Sequence, residues 1–330
     1  ANRRHVFQDG LIMESKRALL LVNMGGPASL GEVSDYLRAI FNDPAILPLP
    51  RVLRSPLADL ITSRRRAKVT ERYRLLGGRS PLHHWTASLR NNVEAELLNR
   101  GDETLVSFAF RYCSPTIEEE LTALYNTGIE TVHLLPLFPH FTHAMTGSVV
   151  RESERVAKQF NMAIETVKDW GQDEEVIGLW SDYLHDALHQ AGAGARVLFV
   201  AHGIPQRNVK RGDDYPDRVL ASARALGKRL QNVEWSLAFQ SRVGPIKWTE
   251  PYLEDELKRL CASPQPLVLM PLSFVADCLE TIYDLDLVAV KQAHEAGVKK
   301  VVRVRAFNDD SRFARILTDL VLEKSLAALV

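Results

Sequence analysis

The chain has 330 residues, enough for one large or two medium-sized domains with buried cores. Its 41 Lys and Arg residues equal its 41 Asp and Glu residues, so the formal net charge is zero, which argues against a nucleic-acid-binding protein. Three widely spaced cysteines predict neither a disulfide framework nor a paired-thiol zinc site, and they favour a reducing compartment.

The N-terminal residues and the apolar segments indicate where the protein works. The first fourteen residues lack the apolar centre of a signal peptide, and no apolar run approaches the length of a membrane span, so we expect a cytoplasmic protein. Leu47–Asp59 (LPLPRVLRSPLAD) stands out because it is largely apolar, interrupted by prolines and carries two arginines. The conventional interpretation is a surface loop over the core. The functional alternative is a lip that touches an apolar ligand or a membrane surface.

Short apolar runs alternate with helical segments along the chain. The first run, Ala18–Asn23, ends in Met-Gly-Gly-Pro, as a buried parallel strand ends in a turn, and Ser29–Phe41 follows as a predicted helix. Further strands are predicted at Leu105–Phe110, Thr131–Leu137, Arg196–Ala201, Trp235–Phe239, Pro266–Leu272 and Val301–Val304. Further helices are predicted at Thr86–Leu98, Ile117–Asn126, Pro216–Leu230, Leu285–Ala296 and Arg312–Ala328. This alternation predicts an α/β protein with parallel sheets covered by helices on both faces.

The predicted strands form two groups, before and after about residue 165, and each group has a strand that ends in a glycine-containing loop. We therefore predict two similar α/β lobes, 15–165 and 166–305, followed by a C-terminal helix within 306–330 that the sequence assigns to neither lobe. Open α/β sheets bind ligands at the carboxyl ends of their strands, so we expect the site in a cleft between the lobes. Neither glycine cluster has the spacing of a nucleotide-binding loop, and a nicotinamide or ATP enzyme is therefore a poor fit.

Candidate reactive residues lie after two of the predicted strands. His202 directly follows Arg196–Ala201, where an imidazole can bind a metal ion or accept a proton, although a lone histidine is often structural. Asp277, Glu280 and Asp284 follow a later strand, and at helical spacing they share one face. Acids in the first turns of a helix also complement its dipole, which is the alternative without a function. One imidazole and one carboxylate from separate strand ends suit a divalent ion that keeps its other coordination positions open.

An aromatic residue follows a Gly-Pro turn in the segment FQSRVGPIKWTEP. This residue, Trp248, has packing as its more common role. In a cleft, however, its flat face suits a flat conjugated substrate.

Several segments, taken in chain order, resemble the ferrochelatase family. The resemblance is carried by NMGGP, YRLLGGRSPL, FRYCSP, PLFPHFTHAMTGS, AHGIP with RGDDYP, QSRVGPIKW and SFVADCLETIYDLD, and it covers residues 17–325. It implies a class II chelatase-like fold of two Rossmann-like lobes with a porphyrin cleft between them. It also implies insertion of Fe²⁺ into protoporphyrin IX or coproporphyrin III with release of two protons, a terminal step of haem biosynthesis.

The resemblance further implies roles for individual residues. His202 and Glu280 match the pair that handles the metal from opposite sides of the cleft, and Asp277 and Asp284 match acids near the glutamate. The positions that match macrocycle-contacting residues are Met24, Tyr73, Phe141 and Trp248. The positions that match residues holding propionates or lining the pocket are Arg65, Ser80 and Arg111.

The sequence departs from the family pattern at four positions. Phe141 stands where many members have Tyr, Cys278 replaces a common His, Thr249 replaces a Leu, and Val288 ends the acidic row one step early. The sequence has no cysteine-rich tail, so we expect no iron–sulfur cluster and no other cofactor, with iron acting as a substrate.

The expected partners are porphyrin and ferrous iron and no nucleic acid, with peripheral membrane contact through 47–59 and a homodimer left open. Two alternatives to a ferrochelatase also remain open at this point. One is a chelatase that inserts cobalt or nickel into another tetrapyrrole, because sequence discriminates poorly between divalent metals. The other is a two-lobed protein that carries metal or haem without turnover.

Overall fold

A computed structural model describes residues 17–327, with side chains described through residue 323. The eight strands in this part of the chain are β1 (Arg17–Asn23), β2 (Leu105–Phe110), β3 (Thr131–Pro136), β4 (Ala163–Thr166), β5 (Arg196–His202), β6 (Trp235–Gln240), β7 (Leu267–Pro271) and β8 (Val301–Arg303). They form two parallel four-stranded sheets with the orders β2-β1-β3-β4 and β6-β5-β7-β8. The predicted α/β fold with parallel sheets is confirmed.

Helices cover both sheets. They are α1 (Val33–Phe41), α2 (Arg51–Leu75), α3 (Leu82–Asn99), α4 (Ile117–Asn126), α5 (Thr146–Phe160), α6 (Glu174–Ala191), α7 (Gln206–Val209), α8 (Tyr215–Arg229), α9 (Leu253–Cys261), α10 (Val290–Glu295) and α11 (Ser311–Ala327). A short 3₁₀ turn, Leu30–Glu32, precedes α1, and a π-helix, Glu280–Ala289, precedes α10. Within the described residues no helix is both long and apolar enough to span a bilayer.

The seven predicted strands all exist, with bounds that differ by at most one residue at either end. The strand that sequence reasoning missed is β4, an edge strand of four residues in which every side chain is at least partly exposed. Too short for a clear apolar pattern, β4 gives little periodic signal.

The interpretation of Leu47–Asp59 as a surface loop is wrong from Arg51 onward, where α2 begins. Pro50 precedes the first helical residue, a position where the fixed φ of proline is compatible with a helix start. Pro56 lies inside the helix and removes one backbone hydrogen bond, but the Leu, Ala and Arg residues around it favour helix. The segment is nevertheless at the surface, because Val52 is 80% and Leu53 is 60% exposed.

The C-terminal helix α11 packs on α3 and on α6. The loop before it also joins the first lobe, since Ser88 and Asn92 on α3 donate hydrogen bonds to Asp309 at 2.5 and 2.6 Å. One large apolar core extends across both sheets and includes Leu19 of β1 and Phe199 of β5. The division at residue 165 therefore stays a prediction, although each sheet, apart from Thr166 at the end of β4, lies within one of the predicted lobes.

Candidate active site

His202 is held at the carboxyl end of β5 by its backbone and by one ring nitrogen. Its N–H donates to Ser273 Oγ at 2.8 Å, and its carbonyl accepts from the Tyr215 hydroxyl at 2.9 Å. The ring Nδ1 lies 2.7 Å from the Gly203 carbonyl oxygen. A carbonyl can only accept, so Nδ1 carries the proton and the Nε2 of a neutral ring keeps its lone pair. This arrangement leaves Nε2 available to a metal ion or a proton.

Glu280 approaches the same sheet edge from the neighbouring strand. Because β5 and β7 are adjacent, the chain segments that follow them leave the sheet side by side. Gln240 also links the two, since it pairs in register with His202 and its amide lies 3.4 Å from the Glu280 carbonyl. The structure therefore brings the segments carrying both predicted metal-handling residues together. Among the described residues, no three His, Cys, Asp or Glu side chains converge as a metal cluster.

Three buried side chains lie within range of the Glu280 charge. Burial raises the pKa values of Tyr36, Tyr73 and Cys278 well above their ordinary values, and the negative charge of Glu280 raises all three further. The Tyr36 hydroxyl donates to the Gly25 carbonyl at 3.1 Å, which ties Tyr36 to the glycine turn after β1. Sequence reasoning assigned no role to Tyr36. Its only signal is a place on the apolar face of a predicted helix, which looks like ordinary core.

Asp277 is engaged by a separate network. Its carboxylate forms an ion pair with Arg303 at 3.0 Å and accepts hydrogen bonds from Thr281 and Asn308 at 2.9 and 3.0 Å. It also precedes the π-helix, so the prediction that it shares a helical face with Glu280 and Asp284 is wrong. The helix begins later than the acidic spacing indicated because residues 274–278 are irregular.

Asp284 lies in the π-helix one turn after Glu280. Burial, with the charge of Glu280, raises its pKa to about 6, while Arg72 acts in the opposite direction. Arg72 belongs to α2 of the first lobe, and its Nη1 is 3.5 Å from Asp284 Oδ1. A cation of one lobe thus neutralises an acid of the other beside the proposed metal site.

The first lobe builds its wall from the turn after β1. Met24 is half-buried there, whereas Tyr73 and Ser80 are each 3% exposed. A Cβ on Gly26 would lie 2.5 Å from Ser80 Oγ, so only glycine fits between the turn and these side chains. Tyr73 and Ser80 therefore meet at the turn that also carries Met24, the third predicted contact residue.

Arg65 carries a half-buried positive charge without a carboxylate partner in the part of the chain that the structure describes. Its guanidinium lies 5.7 Å from the centre of the Phe41 ring. Burial and the neighbouring Arg72 lower its pKa. A substrate carboxylate would supply the missing counter-charge.

Arg111 is held by a buried aspartate that sequence reasoning missed. Its Nη2 lies 3.1 Å from Asp43 Oδ2 and its Nε donates to Ser148 Oγ at 2.8 Å. The same carboxylate accepts from the Tyr112 hydroxyl at 2.9 Å and from the backbone N–H of Ala45 at 2.7 Å. An Asp in a loop gives no periodic signal, and only the fold shows that it joins three segments.

Phe141 and Trp248 lie in other segments, after β3 and after β6. Phe141 is half-buried, with the Arg218 guanidinium 5.9 Å from its ring centre. The indole Nε1 of Trp248 donates to the Val243 carbonyl at 2.9 Å, which fixes the ring. Trp248 also borders a cavity of about 410 Å³ lined by Gln206, Val209, Lys210, Pro216, Lys247, Thr249 and Glu250.

Solved structures place this arrangement in a known fold. SirB from Bacillus subtilis, solved with Fe³⁺, is 15% identical, superposes with a TM-score of 0.56, and the match covers 93% of this chain and 95% of SirB. At that identity the likeness shows the fold alone, which is the chelatase fold predicted from the sequence. Two parallel sheets, with His202 at the end of one strand and Glu280 in the segment after the neighbouring strand, thus share the fold of this chelatase.

Sequence comparisons define the family within this fold. The ferrochelatase family model matches residues 16–325. A ferrochelatase of Geotalea daltonii is 35% identical over 315 residues, covering 94% of this chain and 98% of that protein. A ferrochelatase of Pelagibacter ubique is 32% identical over 316 residues, covering 94% and 92%. The chain belongs to the ferrochelatase family, and it is an enzyme of haem biosynthesis that inserts iron into a porphyrin.

Proposed function

We propose that His202 and Glu280 carry the metal-insertion step from opposite sides of the porphyrin. Insertion requires that the ion shed water and that two pyrrole N–H protons leave, so the site needs a metal ligand and a proton acceptor. The free Nε2 of His202 is the observation that supports this proposal most strongly. His202 takes protons or delivers the metal, and Glu280 takes the complementary role.

The substrate is held by residues of both lobes. The macrocycle contacts in this proposal are Met24, Tyr73, Phe141 and Trp248. Arg65, Ser80 and Arg111 hold carboxylates or line the pocket. The half-buried Arg65 charge, which has no carboxylate partner among the described residues, supports a role in binding a substrate carboxylate. A rigid cleft that grips the ring at its edge can use that binding energy to bend it toward the metallated geometry.

Asp277 and Asp284 complete the proposed acidic set around Glu280. Asp284 is the next carboxylate along the π-helix and serves the incoming ion. Asp277 acts at a distance, because its ion pair with Arg303 fixes the segment that precedes Glu280.

Steady-state insertion of Fe²⁺ under anaerobic conditions, with protoporphyrin IX and coproporphyrin III compared in parallel, tests the proposal and identifies the porphyrin. We expect two protons released for each metal inserted, with turnover well above one per protein. A His202→Ala enzyme with normal turnover would refute the role of His202. Iron and acid-labile sulfide analysis of the purified protein tests the further expectation that no resident cofactor is needed.

We also propose that the enzyme works in the cytoplasm and touches a membrane surface through 47–59. Val52 and Leu53 are 80% and 60% exposed at the start of α2, beside Arg51 and Arg54. Exposed apolar side chains flanked by cations suit an anionic lipid surface. This surface also leaves open a homodimer in which the two copies cover it together.

Vesicle co-sedimentation tests the membrane proposal. A Val52→Ser, Leu53→Ser protein is expected to bind vesicles of anionic phospholipid several-fold more weakly than the unaltered protein. Leu98→Ser is the matched control, because Leu98 is 59% exposed on a different helix. Equal binding by all three proteins excludes membrane contact through 47–59, and sedimentation velocity then shows whether a dimer covers the surface instead.

A further inference from the structure

Arg72 lies where the two lobes meet beside the proposed metal site. Its guanidinium is 4.7 Å from the centre of the Tyr283 ring and 3.5 Å from the Asp284 carboxylate. Both partners belong to the π-helix of the second lobe, whereas Arg72 belongs to α2 of the first. Arg72 and Asp284 side chains are 24% and 21% exposed, so the pair is accessible to solvent but largely enclosed.

The position of Arg72 bears on how a cation reaches Glu280. Charged groups that act on Asp284 are Glu280, Arg72, Glu254 and Lys68. The next side chain along the row, Val288, is apolar. A divalent ion that approaches Glu280 along the π-helix therefore reaches Asp284 first, and Asp284 is already paired with the Arg72 guanidinium. The positive charges of the ion and of Arg72 repel each other appreciably within a few ångströms in a partly enclosed site.

We propose that Arg72 is an electrostatic gate for the metal: it occupies Asp284 until a hydrated divalent cation displaces it. The inference rests on the proposed function, since it assumes that the ion passes Asp284 on its way to Glu280. Arg72 touches neither porphyrin nor the reacting nitrogen atoms in this scheme. Its effect therefore falls on the apparent affinity for metal and not on kcat or on the KM for porphyrin.

The test is steady-state insertion by Arg72→Gln with metal varied at saturating porphyrin. We expect the KM for metal to fall about fivefold, with kcat and the porphyrin KM unchanged within a factor of about two. The matched control is Arg74→Gln, two residues along the same helix, because Arg74 is exposed and paired with Glu71. This control removes the same charge away from the site and should leave the metal KM unchanged.

Two further variants distinguish a gate from a structural link. Arg72→Lys keeps the charge and should restore the metal KM of the unaltered enzyme. Adding Asp284→Asn to Arg72→Gln should abolish the fall in the KM for metal, because the unpaired Asp284 carboxylate is what attracts the ion. If Arg72→Gln does not fold, Arg72→Met retains the apolar stem over Tyr283 and replaces it in the same comparison.

The failure of the gate differs from the failure of the proposed function. Normal insertion by the unaltered enzyme, with a metal KM that Arg72→Gln leaves unchanged or raises, overturns the gate alone. A fall in the metal KM that persists when Asp284→Asn is added also overturns the gate. Absence of insertion by the unaltered enzyme with either porphyrin overturns the proposed function itself.

Discussion

The two lobes share one sheet topology but end corresponding strands in different chemistry. In each sheet the first strand along the chain lies second in the order, and it ends in Asn23 in one lobe and His202 in the other. Asn23 uses its side chain locally, accepting from the Met24 N–H at 2.7 Å and donating to Thr86 at 3.4 Å. His202 uses only one ring nitrogen in this way. The same scaffold thus uses both polar atoms of the Asn23 side chain to hold the first lobe, and in the other lobe it holds His202 by one ring nitrogen and leaves the second to its proposed reactive role.

The largest expected effect comes from replacing the last residue of each of these two strands with alanine, one at a time. His202→Ala should lower kcat about a thousandfold, because it removes a ligand or proton acceptor, while the melting temperature stays near that of the unaltered enzyme. Asn23→Ala should do the reverse, lowering the melting temperature through its lost hydrogen bonds and changing kcat only a few-fold. Anaerobic Fe²⁺ insertion and thermal unfolding measure both. Equal losses of kcat in His202→Ala and Asn23→Ala would contradict the proposal that one lobe supplies the reactive residue and the other a structural one.

Much of this division could be predicted from the sequence. Buried parallel strands such as β5 give continuous apolar runs. His202 at a strand end and Glu280 in the segment after another strand each lie in a family motif. What sequence could not supply is long-range pairing. Arg72 meets Asp284 across the lobes, at a separation of more than two hundred residues, and no local pattern encodes that contact. The start of α2 was missed because prolines near it indicate a loop more strongly than its helix formers indicate a helix.

A second prediction concerns the wall of the first lobe. Arg65→Gln should raise the KM for porphyrin tenfold to about a hundredfold with little change in kcat, because it removes a charged hydrogen-bond donor for a carboxylate. Arg64→Gln is the control, since Arg64 is exposed next to it on α2. Steady-state kinetics with varied porphyrin measure the effect. If both variants behave alike, the effect is one of net charge and Arg65 has no special role.

A third prediction concerns the junction of the lobes, where His140 follows β3 but hydrogen bonds to Ser222 of α8 at 2.9 Å. Burial, with a smaller effect of Arg218, lowers the pKa of this imidazole to about 3. The unfolded chain, whose histidine has a pKa of about 6.5, therefore binds a proton that the folded protein excludes. This contribution to stability is fully present above pH 6.5 and is lost progressively as pH falls toward 3.

His140→Gln should remove that dependence. Between pH 7.5 and 5 the unaltered protein should lose about 2 kcal/mol more of its free energy of unfolding than the variant does. Chemical denaturation at several pH values measures the difference, and a constant offset between the proteins does not affect it. His84→Gln is the control, because His84 is exposed and should leave the slope unchanged. Parallel curves for His140→Gln and the unaltered protein would show that the imidazole binds its proton alike in the folded and unfolded states.

The smallest expected effect is that of the buried acid that organises the first lobe. Asp43 holds Arg111, Tyr112 and Ser148 at once, and its Oδ1 accepts from Ala45 at the base of the 47–59 segment. The backbone of Tyr112 in turn donates to the Met24 carbonyl at 3.2 Å. Asp43→Asn keeps the shape and removes the charge, so Arg111 loses its counter-ion and its fixed orientation. We expect the KM for porphyrin to rise about fivefold.

The kinetic pattern distinguishes positioning of the wall from a general loss of stability. If Asp43 acts only on the first lobe, the metal KM and kcat remain close to those of the unaltered enzyme, because His202 and Glu280 belong to the other lobe. Asp35→Asn supplies the control, since the Asp35 side chain is 79% exposed on α1 and pairs with Arg38. A fall in kcat without a change in the porphyrin KM would mean that the buried acid reaches the metal side as well. The two lobes would then share one catalytic network, and the contrast between wall and reactive group would not hold.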